Sequence, residues 1–233
     1  MTSTVELATL LAGQDHRQAH AHLVRNGWNV CGVGDWAVTL RSPDGLLAAR
    51  VSPFDPAYPV FVDLCRRLPD SAHLPRVESD VALEGGGQLT IMEFLLPAPD
   101  GVAEQVRTSW DAREDLELDA VRQAAEDLDA TARRTVPWWD GLDTNPGNIM
   151  QALDGRTVLV DVFCMDGAAL YAALLADPTG FAERIPAERR QHLNEIAFIA
   201  RSSTPAEIAD LRAAHALTQR TGTGRDAAGI LGA

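Results

Sequence analysis

The sequence predicts an α+β protein with two lobes, a small antiparallel β lobe followed by a larger α-helical lobe. One observation is a series of short β-branched and aromatic segments, separated by glycine turns, within residues 28–96. A second is the change after residues 97–101 (PAPDG), beyond which the segments become acidic and helical. A third is the composition, because 46% hydrophobic and 23% charged residues are typical of a folded globular chain.

The chain begins with helical periodicity and continues into the β lobe. Apolar residues three and four positions apart predict a helix over residues 5–26, interrupted near Gly13, so residues 1–27 form an N-terminal helical extension. The β lobe then occupies residues 28–96. Its predicted elements are a strand, glycine turn and strand at 28–40, a strand at 46–51, a helix at 60–68, and strands at 74–78 and 88–94.

The helical lobe is predicted at residues 102–220, after the proline-rich hinge at residues 97–101. The sequence at residues 157–160 predicts a short buried strand within this lobe. The final segment, residues 221–233, is small and glycine-rich and is expected to be flexible. Helices are predicted at 111–132, 168–176, 187–200 and 205–218.

The charge of the chain excludes several classes of function. There are 33 acidic residues against 20 basic ones, a net charge of −13, so we expect no binding to nucleic acid or to an anionic membrane. Every basic residue is an arginine, and the chain contains no lysine. Schiff-base, P-loop-lysine and lysine-nucleophile chemistry are therefore excluded.

Three features predict a cytoplasmic protein. The apolar stretches are shorter than the roughly 20 residues that a membrane-spanning helix needs. The N-terminal sequence has no basic start and reaches Glu6 early, unlike a signal peptide. Cys31, Cys65 and Cys164 are odd in number and widely separated, as expected of reduced thiols. These patterns leave the oligomeric state open.

The densest run of polar and turn-forming residues lies at 138–150. A hairpin turn at Asp154 joins a strand that follows Asn148 to a strand that precedes Asp161, so these two side chains are expected to lie close together. With Asp143 they form a set of hard oxygen ligands, which Mg²⁺ prefers. Asp143 is also suited to accept a hydroxyl proton. In the alternative interpretation, these Asp and Asn side chains only cap a turn through bonds to the backbone.

This run resembles the catalytic loop of the protein-kinase-like superfamily, which includes aminoglycoside-phosphotransferase relatives and short bacterial and phage kinase-like proteins. The family pattern, His-x-Asp followed by Asn, has its counterpart in Gly-Leu-Asp ending at Asp143 and in Asn148, within Pro-Gly-Asn-Ile at residues 146–149. The metal-binding Asp of the family closes a hydrophobic strand, as Asp161 does here. The resemblance implies a two-lobed kinase-like fold with Asp143 as catalytic base and Asn148 and Asp161 as Mg²⁺ ligands.

The first half of the chain follows the same family order. Gly32 and Gly34 resemble the glycine-rich phosphate loop, and Arg50 stands where the third strand of the family carries its lysine. Glu93, within Met-Glu-Phe, resembles the hinge whose backbone groups meet adenine. The cofactors that the resemblance implies are ATP and Mg²⁺, and the implied partners are a nucleotide and a protein or small-molecule hydroxyl acceptor.

Several positions depart from the family pattern. Arg50 replaces a lysine, and its wide planar guanidinium cannot take the place of a compact ammonium without moving the phosphates. Asp63 is the only acid in the predicted helix at 60–68, where the family has a glutamate, and its reach toward Arg50 is shorter. Gly141 stands in place of the catalytic-loop histidine, and Val162 follows the metal-binding Asp in place of phenylalanine. Together these changes indicate a degenerate or specialised member.

Two hypotheses of different class follow from these residues. In the first, the protein is an atypical phosphotransferase that moves the γ-phosphate of ATP to a protein Ser/Thr or small-molecule hydroxyl. In the second, it is a pseudokinase, a nucleotide-binding or regulatory module that acts through protein contacts. The retained Asp143, Asn148 and Asp161 favour the first hypothesis. The change at Arg50 and the missing helix glutamate favour the second.

Histidines cluster near the N-terminus and also invite a metal-binding interpretation. His16 and His20 are four residues apart, a spacing that places two imidazoles on one helix face. No third ligand beyond Asp15 is near in sequence, which favours a solvated helix face. Cys164, which follows the predicted metal-binding strand, is expected to pack as a small hydrophobic residue.

Overall fold

The computed structural model describes residues 4–222 of the 233 in the chain. Helices and an antiparallel sheet share this part of the chain, which confirms the α+β class. Of the tail predicted to be flexible, residues 221 and 222 end a helix, and residues 223–233 lie outside the described residues. In the described part of the chain, no helix has both the length and the apolar character needed to cross a membrane.

Most of the predicted elements are present at bounds close to those expected, but the strand predicted at 74–78 lies at Val77–Ala82. The strands are β1 (Asn29–Val33), β2 (Val38–Arg41), β3 (Leu47–Ser52), β4 (Val77–Ala82), β5 (Gln88–Glu93), β6 (Leu95–Pro97), β7 (Trp139–Leu142), β8 (Ile149–Ala152), β9 (Thr157–Leu159) and β10 (Phe163–Met165). The helices are α1 (Thr4–Leu11), α2 (His16–Arg25), α3 (Tyr58–Arg67), α4 (Val102–Ala112), α5 (Leu116–Thr135), α6 (Gly167–Ala176), α7 (Pro178–Arg184), α8 (Ala187–Arg190), α9 (Ala197–Ser202) and α10 (Pro205–Gly222). Short 3-10 turns occupy Pro146–Asn148 and Leu193–Glu195.

The first half of the chain forms a five-stranded antiparallel sheet in the order β1-β2-β3-β5-β4. The central strand β3 pairs on both sides, so that Arg50 lies opposite Thr39 of β2 and Thr90 of β5. Because successive side chains of a strand point to opposite faces, Arg50 shares a face with Ala48, whereas Ala49 lies on the other face. Ala48 belongs to the large core cluster that includes the C-terminal half, so Arg50 faces the same side of the sheet.

Different helices cover the two faces of this sheet. Leu11 of α1 and Leu23 of α2 are fully buried against one face, together with Ala49. The opposite face packs against α3, where Tyr58 and Phe61 are buried in the large core cluster. The N-terminal extension is therefore packed on the sheet, and its absence would expose that core.

Two small sheets hold the polar run at residues 138–150. In the β8–β9 hairpin, Ile149 lies opposite Leu159. Strand β7 pairs with β10, and immediately after β7 the N–H of Asp143 donates to the carbonyl of Val162 at 2.8 Å. The predicted hairpin is confirmed, and β7 and β10 add a second support that the sequence patterns did not indicate.

The single helix predicted at residues 111–132 is wrong, because this segment contains the end of α4 and most of α5. Arg113 separates the two helices and has a left-handed backbone, with φ 60°. The carboxylate of Asp115 then accepts from the N–H groups of Glu117 and Leu118 and starts a new helix.

The helix predicted at residues 187–200 is also wrong, since α8, a 3-10 turn and α9 occupy this segment. Leu193 and Ile196 are both buried in the core, and the backbone of Ile196 is extended. The hydroxyl of Tyr171 donates to the carbonyl of Leu193 at 3.0 Å, a tertiary bond that replaces a helical one. The packing of this segment therefore overrides its helical periodicity.

Candidate functional site

The structure brings Asp143, Asn148 and Asp161 into one hydrogen-bonded group. The Nδ2 of Asn148 donates to Oδ2 of Asp143 at 3.0 Å and to the backbone carbonyl of Asp161 at 3.1 Å. Because these bonds use the amide nitrogen of Asn148, its Oδ1 is the atom suited to bind a cation. The predicted approach of Asn148 to Asp161 is therefore confirmed.

The turn-capping bonds of the alternative interpretation are present as well. Oδ1 of Asp143 accepts from the N–H of Asn145 at 2.9 Å, and the side chain of Asn145 accepts from the N–H of Gly147 at 2.9 Å. These bonds fix the loop that carries Asn148. Oδ1 of Asp143 therefore caps the turn, while Oδ2 of the same side chain accepts the hydrogen bond from Asn148.

Asp161 has two unusual properties. Its backbone is left-handed, with φ 55°, which is uncommon for a residue with a side chain, although aspartate tolerates it better than most. Burial raises the pKa of its carboxyl to about 7; Arg50 opposes this shift, whereas Asp55 and Asp143 add to it. A constrained backbone together with a perturbed carboxyl is typical of functional sites.

Arg50 is 8% exposed and is held by three groups. Its Nη2 lies 2.5 Å from Oδ2 of Asp55 and 3.5 Å from Oδ2 of Asp161. Its Cζ lies 3.6 Å from the centre of the Tyr58 ring, a cation–π contact. Burial disfavours the charged guanidinium, but Asp55 and Asp161 outweigh it and raise the pKa of Arg50 above its ordinary value. Arg50 therefore provides a permanent positive charge in the protein interior.

The closest acidic partner of Arg50 is Asp55, which lies before helix α3. The acid considered from the sequence was Asp63, within α3. Asp63, on α3, pairs instead with Arg67 at 2.9 Å on the surface. Asp55 also accepts from two backbone N–H groups at the start of α3, at 3.1 and 3.2 Å. The Asp-Pro pair at residues 55–56 is a turn signal in the sequence, but this pattern does not indicate the pairing with Arg50.

Gly32 lies in strand β1, and Gly34 lies in the turn between β1 and β2, where the sequence predicted a glycine turn. The N–H of Gly34 donates to the carbonyl of Ala37 at 2.9 Å and closes the turn. Gly32 lies opposite Thr39, at a point where the register of the two strands shifts. The turn geometry is therefore as expected, and a phosphate-binding role for these glycines stays a prediction.

This glycine turn is tied to helix α9. Arg201 donates to the carbonyl of Val33 at 2.5 Å and to Oδ1 of Asp35 at 3.2 Å. The N–H of Phe198 donates to the carbonyl of Asp35 at 2.9 Å. Three bonds thus join the turn to the C-terminal part of the chain, so the turn is positioned by tertiary contacts as well as by its own sequence.

Glu93 has a structural role that the sequence did not indicate. Its carboxylate accepts from Nη2 of Arg156 at 2.6 and 2.7 Å and from the N–H of Arg76 at 2.8 Å. Its own N–H donates to the carbonyl of Arg76 at 3.0 Å, and the N–H of Phe94 donates to the carbonyl of Leu46 at 2.8 Å. Two backbone donors of the expected hinge are therefore already bonded, and an adenine contact at Glu93 stays a prediction.

Gly141 lies beside the side chain of Arg133, in a backbone conformation that favours glycine. Gly141 has φ 135°, and a Cβ there would lie 2.3 Å from a side-chain nitrogen of Arg133. Arg133 pairs with Asp129 at 2.8 Å, and Nε1 of Trp139 donates to the other oxygen of Asp129 at 2.7 Å. The strand that leads to Asp143 is therefore braced by a group centred on Asp129, and the positive φ of residue 141 favours glycine there.

Cys164 lies half-buried beside this group, whereas the sequence suggested that it packs in the core. Its Sγ lies 3.5 Å from the carbonyl of Gly141. Burial, with the charges of Asp140 and Asp143, raises the pKa of its thiol to about 12. The thiol is therefore protonated at neutral pH and is not a nucleophile.

The site can carry out two chemical tasks. Asp143 is a carboxylate held by two hydrogen bonds, which suits it to orient a hydroxyl. Asp161 and Asn148 offer a carboxylate and an amide oxygen, the hard ligands of a cation such as Mg²⁺. Arg50 adds a fixed positive charge 3.5 Å from Asp161. All four side chains are positioned by strands or by turns that strands anchor.

Comparisons with known proteins find a distant likeness among solved structures alone. No family model matches the chain, and no curated protein is similar to it in sequence. Among solved structures, it is similar to an aminoglycoside phosphotransferase from Streptomyces rimosus at 16% identity, over 88% of this chain and 99% of that chain. The TM-score is 0.31. At that score the likeness assigns neither a fold nor a function to this chain.

Proposed function

We propose that the protein is an atypical kinase-like phosphotransferase that moves the γ-phosphate of ATP to a hydroxyl of a protein or a small molecule. The supporting observation is the Asn148 amide, which bonds to Asp143 at 3.0 Å and to the carbonyl of Asp161 at 3.1 Å. This amide joins a hydroxyl-orienting carboxylate to hard oxygen ligands, a combination that phosphoryl transfer uses. In the proposal, the sheet and the helical half form two lobes with the nucleotide between them.

In the proposed reaction, Asp143 orients the acceptor hydroxyl and accepts its proton as the oxygen attacks the γ-phosphorus. The bond from phosphorus to the ADP oxygen breaks, and the phosphoryl group becomes an ester of the acceptor. Two hydrogen bonds hold the Asp143 carboxylate in position, and positioning supplies most of the catalysis in phosphoryl transfer. Arg50 contributes positive charge toward the phosphates.

The residues present fit a Mg²⁺ ion. Mg²⁺ accepts one or two carboxylates with phosphate and water as its other ligands, and Asp161 with Oδ1 of Asn148 meets that requirement. The ion, when bound, neutralises charge on the phosphates. Because the pKa of Asp161 is about 7, protons compete with the cation for this carboxylate below neutral pH.

A second candidate function, a pseudokinase that binds nucleotide or a protein partner without transfer, rests on different observations. Arg50 already pairs with Asp55 at 2.5 Å, which reduces the charge available to phosphate. The N–H groups of Glu93 and Phe94 already donate to backbone carbonyls, which removes two donors from the hinge. These contacts favour weak or altered nucleotide placement.

Transfer of label from γ-labelled ATP, in the presence of Mg²⁺, separates the two candidates. The products to follow are labelled protein, labelled hydroxyl acceptors from a small panel, and free phosphate. We expect Asp143→Asn to reduce transfer by about 100-fold or more, because it removes the base, and Asp161→Asn to weaken the dependence on Mg²⁺. Asp140→Asn is the matched control, since it removes the same charge from an exposed position on β7.

Thermal unfolding with and without Mg²⁺ and ATP completes the test. A ligand that binds the native state must raise the melting temperature. A shift without any transfer in the wild type would favour the pseudokinase. Neither a shift nor transfer would contradict the phosphotransferase and would require a pseudokinase to act through protein contacts without nucleotide. Equal transfer by the wild type and Asp143→Asn would contradict the assigned base.

A further inference from the structure

A second polar cluster lies where the N-terminal and C-terminal parts of the chain meet. His16 is the first residue of α2, His192 precedes the Leu193–Glu195 turn, and Glu195 ends it. Nε2 of His16 lies 3.2 Å from Oε2 of Glu195, and Nδ1 of His192 lies 2.9 Å from Oε1. One ligand atom from each residue lies within 4.8 Å of the other two, so a single ion can reach all three side chains.

The ligand types and separations in this cluster match those of a zinc site. Zn²⁺ binds imidazole nitrogen and carboxylate oxygen at about 2.0–2.2 Å, which puts neighbouring ligand atoms of a tetrahedron about 3.3 Å apart. Nε2 of His16 lies 3.2 Å from Oε2 of Glu195, and Nδ1 of His192 lies 2.9 Å from Oε1, the other oxygen of the same carboxylate. Both separations are within a few tenths of an ångström of that value. Two imidazoles and one carboxylate leave a fourth position for water.

The two imidazoles of the cluster, those of His16 and His192, are largely buried. His192 is 6% exposed and the side chain of His16 is 12% exposed; Nδ1 of His16 is buried and has no hydrogen-bond partner among residues 4–222. Burial lowers the pKa of His16, and Glu195 opposes that shift.

The glycine triplet between β4 and β5 makes room for His192. A Cβ on Gly85 would lie 2.6 Å from Nε2 of His192, and a Cβ on Gly86 would lie 2.1 Å from the carbonyl oxygen of Arg189. Only glycine allows the chain at residues 189–192 to pack this closely on the sheet. Three separate segments therefore build the cluster: the start of α2, the glycine triplet and the Leu193–Glu195 turn.

From this geometry we propose that His16, His192 and Glu195 bind one divalent transition-metal ion, for which Zn²⁺ is the best match. The ion joins α2 to residues 192–195 and so stabilises the packing of both segments on the sheet. Arg17 donates to the same Oε2 of Glu195 at 2.6 Å, and its side chain is 63% exposed. The ion displaces this guanidinium into solvent, which makes Arg17 a competitor for the site.

The test uses the full chain after treatment with a chelator, with Zn²⁺ alone as the probe. Calorimetry is expected to give one ion per chain, and Zn²⁺ is expected to raise the melting temperature. His16→Gln and Glu195→Gln, which keep the size of the side chains close to the original, should weaken binding by about 10-fold or more. Arg17→Ala should strengthen it, because the competing guanidinium is removed.

Matched controls come from the same helix and from the other site. His20→Ala and His22→Ala change histidines of α2 outside the cluster, and Asp161→Asn changes the candidate Mg²⁺ ligand; all three should bind Zn²⁺ as the wild type does. The proposal is overturned if the wild type binds no Zn²⁺, or if folded His16→Gln and Glu195→Gln bind it unchanged. An unchanged affinity in Arg17→Ala would also overturn it. None of these results depends on phosphotransfer.

Discussion

The buried guanidinium of Arg50 lies 3.5 Å from the carboxylate of Asp161 while it pairs with Asp55 at 2.5 Å. One positive charge therefore serves two carboxylates, and Asp143 is close enough to raise the pKa of Asp161 further. Buried charges are costly unless they are compensated. The three carboxylates outnumber the single guanidinium, and a divalent cation would neutralise this excess of negative charge. The same imbalance makes the protonation of Asp161 a measurable property.

Asp161→Asn is expected to stabilise the protein at pH 8 in metal-free buffer. The pKa of Asp161 in the folded state is about 7, above the ordinary value of 3.8, so the folded state binds this proton more tightly than the unfolded state. The contribution of Asp161 to stability is therefore complete below about pH 4 and is lost as the pH rises through 7. Asparagine resembles the neutral acid at every pH. Urea unfolding from pH 5 to 8 should show a stability difference that grows with pH, and a constant difference would contradict the assignment.

Asp55→Ala is expected to lower the free energy of unfolding by about 3 kcal/mol or more. The change leaves Arg50 buried with its nearest partner gone, and it also removes the hydrogen bonds that start α3. Asp63→Ala is the control, because it breaks an exposed pair with Arg67, worth less than about 1 kcal/mol. Denaturant unfolding measures both variants. Equal losses would mean that Asp55 does not stabilise the buried arginine.

Gly86→Ala is expected to destabilise the protein far more than Gly155→Ala. Both glycines have positive φ, 95° and 90°, so both substitutions carry the backbone cost of about 1–2 kcal/mol. Only at Gly86 does the added Cβ meet another atom, the carbonyl oxygen of Arg189 at 2.1 Å. The difference between the two melting temperatures therefore isolates the close approach of the C-terminal segment to the sheet. Similar melting temperatures would show that this approach is not tight in solution.

Arg201→Ala is expected to loosen the glycine turn with little loss of global stability. The side chain is 47% exposed, so its pair with Asp35 contributes less than about 1 kcal/mol, but it also holds the carbonyl of Val33. Amide hydrogen exchange at residues 33–37 should become faster, while exchange in β3 stays unchanged. Arg134→Ala, which removes bonds within α5 only, is the control. Unchanged exchange at residues 33–37 would contradict a restraint by Arg201.

Local patterns predicted most strands of the first half and the hairpin that carries the candidate site. Asn148 and Asp161 are joined by a hairpin of two short strands, so turn chemistry at Asp154 and Gly155 is enough to bring them together. At Gly141, by contrast, local sequence patterns do not explain the residue. Its positive φ favours glycine, and the side chain beside it is that of Arg133, which belongs to the preceding helix and pairs with Asp129.

The amino-acid sequence by itself determined the glycine turn of β1 and β2 and the hairpin that brings Asn148 next to Asp161, 13 positions further on, because each depends on a turn between neighbouring strands. The tertiary structure alone decided that Arg201 holds the glycine turn and that His16 meets Glu195. These contacts join residues more than 160 positions apart, as the 168 between Arg201 and Val33 illustrate. A periodic pattern describes which face of a helix is buried, whereas the packing of the whole core selects which distant side chain lies against it.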